Sequence, residues 1–101
     1  MRAFDKWAMD FVGPINPLGK ITLGRYIITA IEYLTRWAEV ALVKDCTTTT
    51  TAKFLFKNVV TRFGCPRILL SDQGSHFVNE TIVALTEVFQ IHNSKITPYH
   101  P

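Results

Sequence analysis

The feature that most constrains the fold is a change in the spacing of apolar residues near the middle of the chain. Before it, short segments rich in β-branched and aromatic residues, such as residues 25–32 (RYIITAIE), are typical of strands. After it, apolar residues recur at the spacing of one helical face: Ala52, Leu55, Phe56, Val59, Val60 and Phe63. A chain patterned in this way builds strands first and adds helices later, which predicts an α/β fold.

Turn and cap residues divide this pattern into elements. We predict a strand at 7–12 that stops at Gly13-Pro14, a hairpin of strands 25–32 and 37–43, a helix from about 49 to 63, a strand at 68–72, a helix from about 75 or 77 to 90 and a strand at 91–96. This order predicts a mixed five-stranded sheet, with its first three strands antiparallel and helices packed on it. Because no repeat or linker interrupts it, residues 1–101 are predicted to form a single domain.

Composition excludes a disordered tail and a membrane protein. The chain has 101 residues, of which 48% are hydrophobic and 19% charged, and no apolar run approaches the roughly 20 residues of a membrane helix. The net charge of +3 fits either a polyanionic partner or an ordinary solvated surface, because the basic residues are spread along the sequence. Cys46 and Cys65 form no metal-binding spacing. We expect free thiols and a nuclear or cytoplasmic location.

Two aspartates occupy unusual positions in predicted strands. Asp10 interrupts the apolar residues of the first strand, and Asp72 follows the apolar run Ile68-Leu69-Leu70. Asp10 could lie near the end of its strand and accept a hydrogen bond from a backbone N–H, whereas Asp72 could open the Asp-Gln-Gly turn or cap the second helix. If the two strands are neighbours, however, the two carboxylates converge, and a divalent cation would offset their repulsion. Oxygen ligands favour Mg²⁺ or Mn²⁺ in such a site.

Four segments carry a resemblance to a known family: WAMDFVGPI, GRYIITAIEYLTRWAEV, TRFGCPRILLSDQGSHF and TPYHP. In order and spacing they resemble the catalytic core of integrases from long-terminal-repeat retrotransposons of the Ty3/gypsy type, relatives of retroviral integrases. The resemblance runs from about Trp7 to Pro101. It implies an RNase H-like fold and DNA integration, with 3′-end processing and strand transfer by a polynucleotidyl transferase that uses Mg²⁺ or Mn²⁺. Asp10 and Asp72 match the first two catalytic, metal-binding acids of the family.

The third acid of the family's motif falls outside this sequence. In the family, thirty-five residues separate it from the second aspartate, which places the glutamate seven positions beyond Pro101. We therefore expect the 101-residue chain to be truncated before the helix that carries this acid, and to be inactive or nearly so. We also expect the 101-residue chain to lack the zinc-binding and C-terminal DNA-binding domains of such integrases.

The resemblance further implies contacts with DNA and with other copies of the chain. Residues at matching positions in the family lie beside the nucleic acid: Gln73, Gly74, Ser75, Lys95, Tyr99 and His100. An ordinary surface turn is the alternative for these positions. The expected partners are the DNA ends of the element, the target DNA and a second copy of the chain, with no membrane.

Two other functions remain open at this point. The chain could be a non-catalytic remnant that binds nucleic acid or dimerises, because one acid of the motif is missing. It could also be an RNase H-like nuclease, because the same carboxylates and metal ions would support hydrolysis.

Overall fold

The strands of the protein form one mixed sheet. The structure, a computed structural model, describes residues 2–15 and 25–96, the last four by their backbone only. The strands are β1 (Lys6–Ile15), β2 (Arg25–Glu32), β3 (Ala38–Val43) and β4 (Ile68–Ser71). Their order in the sheet is β3-β2-β1-β4; β1 pairs with β2 and β2 with β3 in antiparallel fashion, whereas β1 and β4 are parallel. The predicted mixed sheet with antiparallel early strands is confirmed.

Two helical segments follow the antiparallel strands. The first comprises α1 (Thr48–Leu55), a π-helical turn (Phe56–Val60) and α2 (Thr61–Phe63), and the second is α3 (Ser75–Ile96). Thr47 caps α1, because its hydroxyl oxygen accepts a hydrogen bond from the Thr50 backbone N–H at 3.2 Å. α1 begins at Thr48 and α3 at Ser75, so both helical segments begin within about a residue of their predicted starts.

The predicted fifth strand at residues 91–96 is wrong, because α3 continues through this segment. No glycine or proline interrupts the chain between Gly74 and Pro98, so nothing stops the helix at Gln90. The helical spacing also continues: the ring of Phe56 meets those of Phe89 and His92, at centroid distances of 6.0 and 4.9 Å. Packing against the first helical segment thus outweighs the strand preference of the β-branched residues.

The first strand does not stop at Gly13-Pro14 as predicted. β1 continues to Ile15 through a cis peptide bond, and its register with β2 shifts between Val12 and Ile15. Gly13 has a φ of +136°, and a Cβ there would lie 2.9 Å from the carbonyl oxygen of Arg25. The backbone of β2 therefore approaches too closely for any other residue at this position.

One face of the sheet packs against the helices and forms the core. Its members are Trp7, Met9, Ile28, Ala30, Ala52, Phe54, Leu55, Val59 and Leu85. The predicted helical face supplies Ala52, Leu55 and Val59, as expected. Phe54 lies outside that face but is also buried, since it packs toward β3.

The opposite face of the sheet carries large apolar side chains that remain exposed. They are 40–59% exposed: Val12, Ile31, Val40, Leu42, Ile68 and Leu70. We call this set the open face. It exists because successive side chains of a strand alternate between the two faces, and these strands carry apolar residues on both. Within the described residues, no helix combines the length and apolar character needed to cross a bilayer.

Candidate metal centre and nucleic-acid surface

The parallel pairing of β1 and β4 brings Asp10 and Asp72 to the same end of the sheet. Ala8 pairs with Leu70 and Met9 with Ser71. Asp10 follows Met9 within β1, and Asp72 follows Ser71 as the first residue of the turn after β4. The metal hypothesis requires adjacent strands, and these strands are neighbours.

Asp10 lies on the open face, and both aspartates are exposed. Side-chain alternation puts Asp10 on the same side of β1 as Ala8, whereas Asp72 lies in the turn after β4, where strand alternation no longer applies. The nearest open-face neighbour of Asp10 on β2 is Thr29, its cross-strand partner. The end of the open face therefore presents carboxylate oxygens to solvent.

The local alternatives explain only part of this arrangement. Asp10 accepts a hydrogen bond from the Phe11 backbone N–H at 2.8 Å through its Oδ1 atom. Asp72 lies in a turn, as its local alternative expects, whereas its side chain makes no hydrogen bond to the start of α3 among the described residues. Neither aspartate forms an ion pair within the described part of the chain. Three of the four carboxylate oxygens thus lack a protein partner there.

The donor set suits a hard divalent cation. Mg²⁺ in proteins is commonly held by one or two carboxylates, with water and substrate phosphates completing its shell. Asp10 and Asp72 supply such a pair on an accessible surface. Across residues 2–15 and 25–92, no cluster of three or more His, Cys, Asp or Glu side chains is arranged to hold a metal. The pair would therefore bind a cation that keeps much of its hydration.

A tight turn links Asp72 to α3. The Gln73 backbone N–H donates to Ser71 Oγ at 3.1 Å, and the Gly74 N–H donates to the Ser71 carbonyl oxygen at 3.3 Å. Gly74 has a φ of +96°, while a Cβ there would have no atom within 4 Å. Backbone conformation, rather than space, therefore favours glycine. Gln73, Gly74 and Ser75 are all exposed beside Asp72, as a surface for nucleic acid requires.

An aromatic contact holds the turn against β1. The rings of Phe11 and Phe77 meet edge to face, with centroids 6.1 Å apart and an interplanar angle of 86°. Phe11 follows Asp10 on β1 and Phe77 lies in the first turn of α3, so the contact joins the segments that carry the two aspartates. This pair was not predicted from the sequence. The only local indication was the alternation of Met9 and Phe11 with Asp10, which places Phe11 on the face of β1 opposite to Asp10.

Of the remaining residues predicted to contact nucleic acid, one lies in a different element from the one predicted and two lie outside the described residues. Lys95 lies in the last turns of α3 rather than in a strand, for the reason given for the fifth strand, and its side chain is not described. Tyr99 and His100 lie outside the described residues. Their roles stay predictions.

Comparison with known proteins identifies a common family. Residues 1–101 match the model of the family described as "Integrase core domain". The chain is 31% identical over 100 residues to the Pro-Pol polyprotein of Feline foamy virus, covering 99% of this chain and 8% of the polyprotein. It is 28% identical over 101 residues to the Pro-Pol polyprotein of Simian foamy virus type 3 (strain LK3), covering 100% of this chain and 8% of that protein.

A transposon protein is similar to the same degree. The retrovirus-related Pol polyprotein from transposon 412 of Drosophila melanogaster is 28% identical over 99 residues, which cover 97% of this chain and 8% of the polyprotein. The chain thus spans about 8% of the length of these curated relatives.

Proposed function

This chain belongs to the integrase core domain family, and we propose that it forms the metal-binding part of a polynucleotidyl transferase that joins the DNA ends of a retroelement to target DNA. The observation that carries this proposal is the parallel register of β1 and β4, in which Asp10 follows Met9 and Asp72 follows its partner Ser71. Integrase cores of Pol polyproteins share this activity at the level of the family, whereas its extension to this chain is our proposal.

Asp10 and Asp72 are the residues that would hold Mg²⁺ or Mn²⁺. A bound cation of this kind activates a water or a 3′-hydroxyl and stabilises the charge that develops on phosphate during in-line displacement. The two aspartates contribute the negative charge that attracts the cation, and the solvent exposure of both side chains leaves room for a DNA phosphate beside it. The two carboxylates would thus hold the cation, and a phosphate of the DNA substrate would complete its coordination shell.

The turn after Asp72 would contact the DNA backbone. Gln73 and Ser75 carry short or flexible polar side chains, and Gly74 lets backbone approach a phosphate closely. Contacts of this kind fix the position of DNA without selecting its sequence. We propose that they align the DNA end with the two aspartates.

The origin and assembly of the protein follow from the same proposal. The four sequence segments favour a Ty3/gypsy-type retrotransposon, and the similarity to the transposon 412 polyprotein is compatible with it. We further propose that the protein acts as a homo-oligomer, in the nucleus or the cytoplasm, on both element and target DNA.

Titration with Mn²⁺, followed by two-dimensional NMR of backbone amides, tests the metal site. We expect paramagnetic broadening centred on residues 9–11 and 71–75, and its loss in Asp10→Asn and in Asp72→Asn. Glu87→Asn removes an exposed carboxylate on α3 and should leave the broadening unchanged. Broadening that is scattered over the surface, or that survives both aspartate substitutions, would refute the proposal.

A further inference from the structure

The position of Asp72 depends on the backbone of the turn that carries it. Among the described residues, its side chain makes no hydrogen bond and no ion pair. The described hydrogen bonds of the turn join it to Ser71 and to the start of α3. None of them reaches β1, whose last residue paired with β4 is Met9. Hydrogen bonds therefore do not fix the turn relative to Asp10.

The contact between Phe11 and Phe77 supplies the link that the hydrogen bonds lack. Phe11 pairs with Ile28 of β2, and its backbone N–H donates to Asp10 Oδ1 at 2.8 Å, so it holds a fixed place in the sheet beside Asp10. Phe77 lies in the first turn of α3, directly after the turn that carries Asp72. Edge-to-face rings attract each other beyond the apolar area that they bury, and they prefer this orientation. The contact thus ties the start of α3 to the residue that follows Asp10.

The attachment of α3 to the core rests mainly on residues other than Phe77. Thr81 and Leu85, about one and two turns further along the helix, are 0% and 7% exposed. Phe11 is among the described, partly buried side chains that pack on the core. Phe77 is also half-buried but is not in that group. Its main effect is therefore on the first turn of α3 and on the turn before it.

We propose that Phe77 is a positioning residue for the metal site, which acts through Phe11 to hold Asp72 beside Asp10. This inference rests on the proposed function, since it concerns the same cation. Two neighbouring carboxylates repel each other before the cation binds, and a turn that is not held in place would let them separate. The contact between the two rings opposes this separation. Less ordering then accompanies binding, and the affinity for the cation is higher.

Replacement of Phe77 by leucine removes the ring and keeps an apolar side chain. In Phe77→Leu we expect Mn²⁺ to bind about 2- to 10-fold more weakly, the factor that corresponds to the usual strength of an aromatic pair. Broadening of backbone amides in two-dimensional NMR measures this affinity. Phe77→Tyr keeps the ring and should bind Mn²⁺ like the original chain. Phe11→Leu should weaken binding by a similar factor, and its combination with Phe77→Leu should cause no further loss, because both act through one contact.

Phe89→Leu is the matched control. Phe89 lies on the same helix, about three turns from Phe77, and meets Phe56 edge to face at a centroid distance of 6.0 Å and an interplanar angle of 83°. Its replacement should lower the stability to urea, as Phe77→Leu does, and leave the Mn²⁺ affinity of the folded chain unchanged. A purely structural role would make Mn²⁺ affinity fall with stability in both variants, which would overturn the proposal. Additive losses in Phe11→Leu and Phe77→Leu would overturn it as well.

Amide relaxation measured by NMR in the presence of EDTA separates this inference from the metal site itself. Without metal, the backbone order parameters of residues 72–74 should fall in Phe77→Leu and stay unchanged in Phe89→Leu. Unchanged order parameters in Phe77→Leu would overturn the inference, even if the original chain binds Mn²⁺ at the two aspartates. Failure of the original chain to bind Mn²⁺ there would instead overturn the proposed metal site, and the relaxation measurement would still decide whether the contact orders the turn.

Discussion

Glu32 is a buried carboxylate whose partners come from the turn that follows it. Its side chain is 0% exposed, and it accepts hydrogen bonds from the Leu34 N–H at 3.0 Å, the Thr35 N–H at 2.6 Å and the Thr35 hydroxyl. Burial alone would raise the pKa of Glu32, but these hydrogen bonds outweigh it and lower the pKa from 4.5 to about 2. Glu32 therefore stays ionised and stabilises the β2–β3 turn.

This shift predicts acid sensitivity with a defined direction. Because the folded protein binds the proton of Glu32 only near pH 2 and an ordinary glutamate binds it near pH 4.5, the stabilisation is complete above about pH 4.5 and is lost as the pH falls toward 2. Chemical unfolding at a series of pH values measures this loss. In Glu32→Gln we expect lower stability at pH 7 and a flatter profile over that interval, whereas Glu87→Gln should keep the original profile.

At the scale of elements, the boundary between β4 and α3 depends on the backbone of Gly74. Its φ of +96° is one that other residues adopt only with strain, and the next residue begins α3. Gly64, which ends the first helical segment, has a similar φ of +91° and equally open surroundings. Gly64 and Gly74 thus make the same demand on the backbone, and of these two only Gly74 adjoins the aspartate pair.

Alanine at either glycine is expected to destabilise the fold by about 1–3 kcal/mol, the usual range for a strained backbone conformation. Urea unfolding measures this change. Gly74→Ala should also weaken Mn²⁺ binding, because the strained turn shifts Asp72, and Gly64→Ala should not. Equal metal affinity in both variants would show that the turn does not position Asp72.

The strands and helices could be predicted from the sequence because each is encoded locally. The alternation in β1, the helical spacing after Ala52 and the glycines at the helix ends each act within a few residues. The continuation of α3 past Gln90 was not predicted, because it is stabilised by the packing of Phe56 against Phe89 and His92. Local β-branched residues pointed instead to a strand.

The candidate site was predictable only in part, for the same reason. Asp10 and Asp72 stand out as acids in apolar strands, but their adjacency is a property of the sheet and not of either strand. The Phe11–Phe77 contact escaped prediction because its two members are distant in sequence and meet only after packing. The resemblance to integrases implied that the two aspartates act together, which spacing alone does not show.

At the scale of the whole molecule, the helices cover one face of the sheet and leave the open face exposed to solvent. Leu55 packs against the covered face and is 0% exposed, whereas Leu42 lies on the open face and is 59% exposed. Two residues of the same type thus have opposite environments. Apolar content alone would not distinguish them.

Lysine substitution at these two leucines tests this division. Leu42→Lys should change the free energy of unfolding by no more than about 0.5 kcal/mol, as exposed positions usually do, whereas Leu55→Lys should cost about 4 kcal/mol or more because it buries an unpaired charge. Circular dichroism during urea unfolding measures both. A large loss in Leu42→Lys would mean that the open face is covered in the folded chain.

The one-for-one pairing of β1 with β4 also sets which changes in chain length the protein can accept. The surface loop at residues 65–67, between the first helical segment and β4, can gain or lose residues while β4 keeps its place beside β1, because surface loops absorb such changes. A single residue inserted within Ile68–Ser71 is different, since it would turn the following side chain to the other side of the sheet. Natural relatives should therefore vary in the length of the former segment and hold the latter constant.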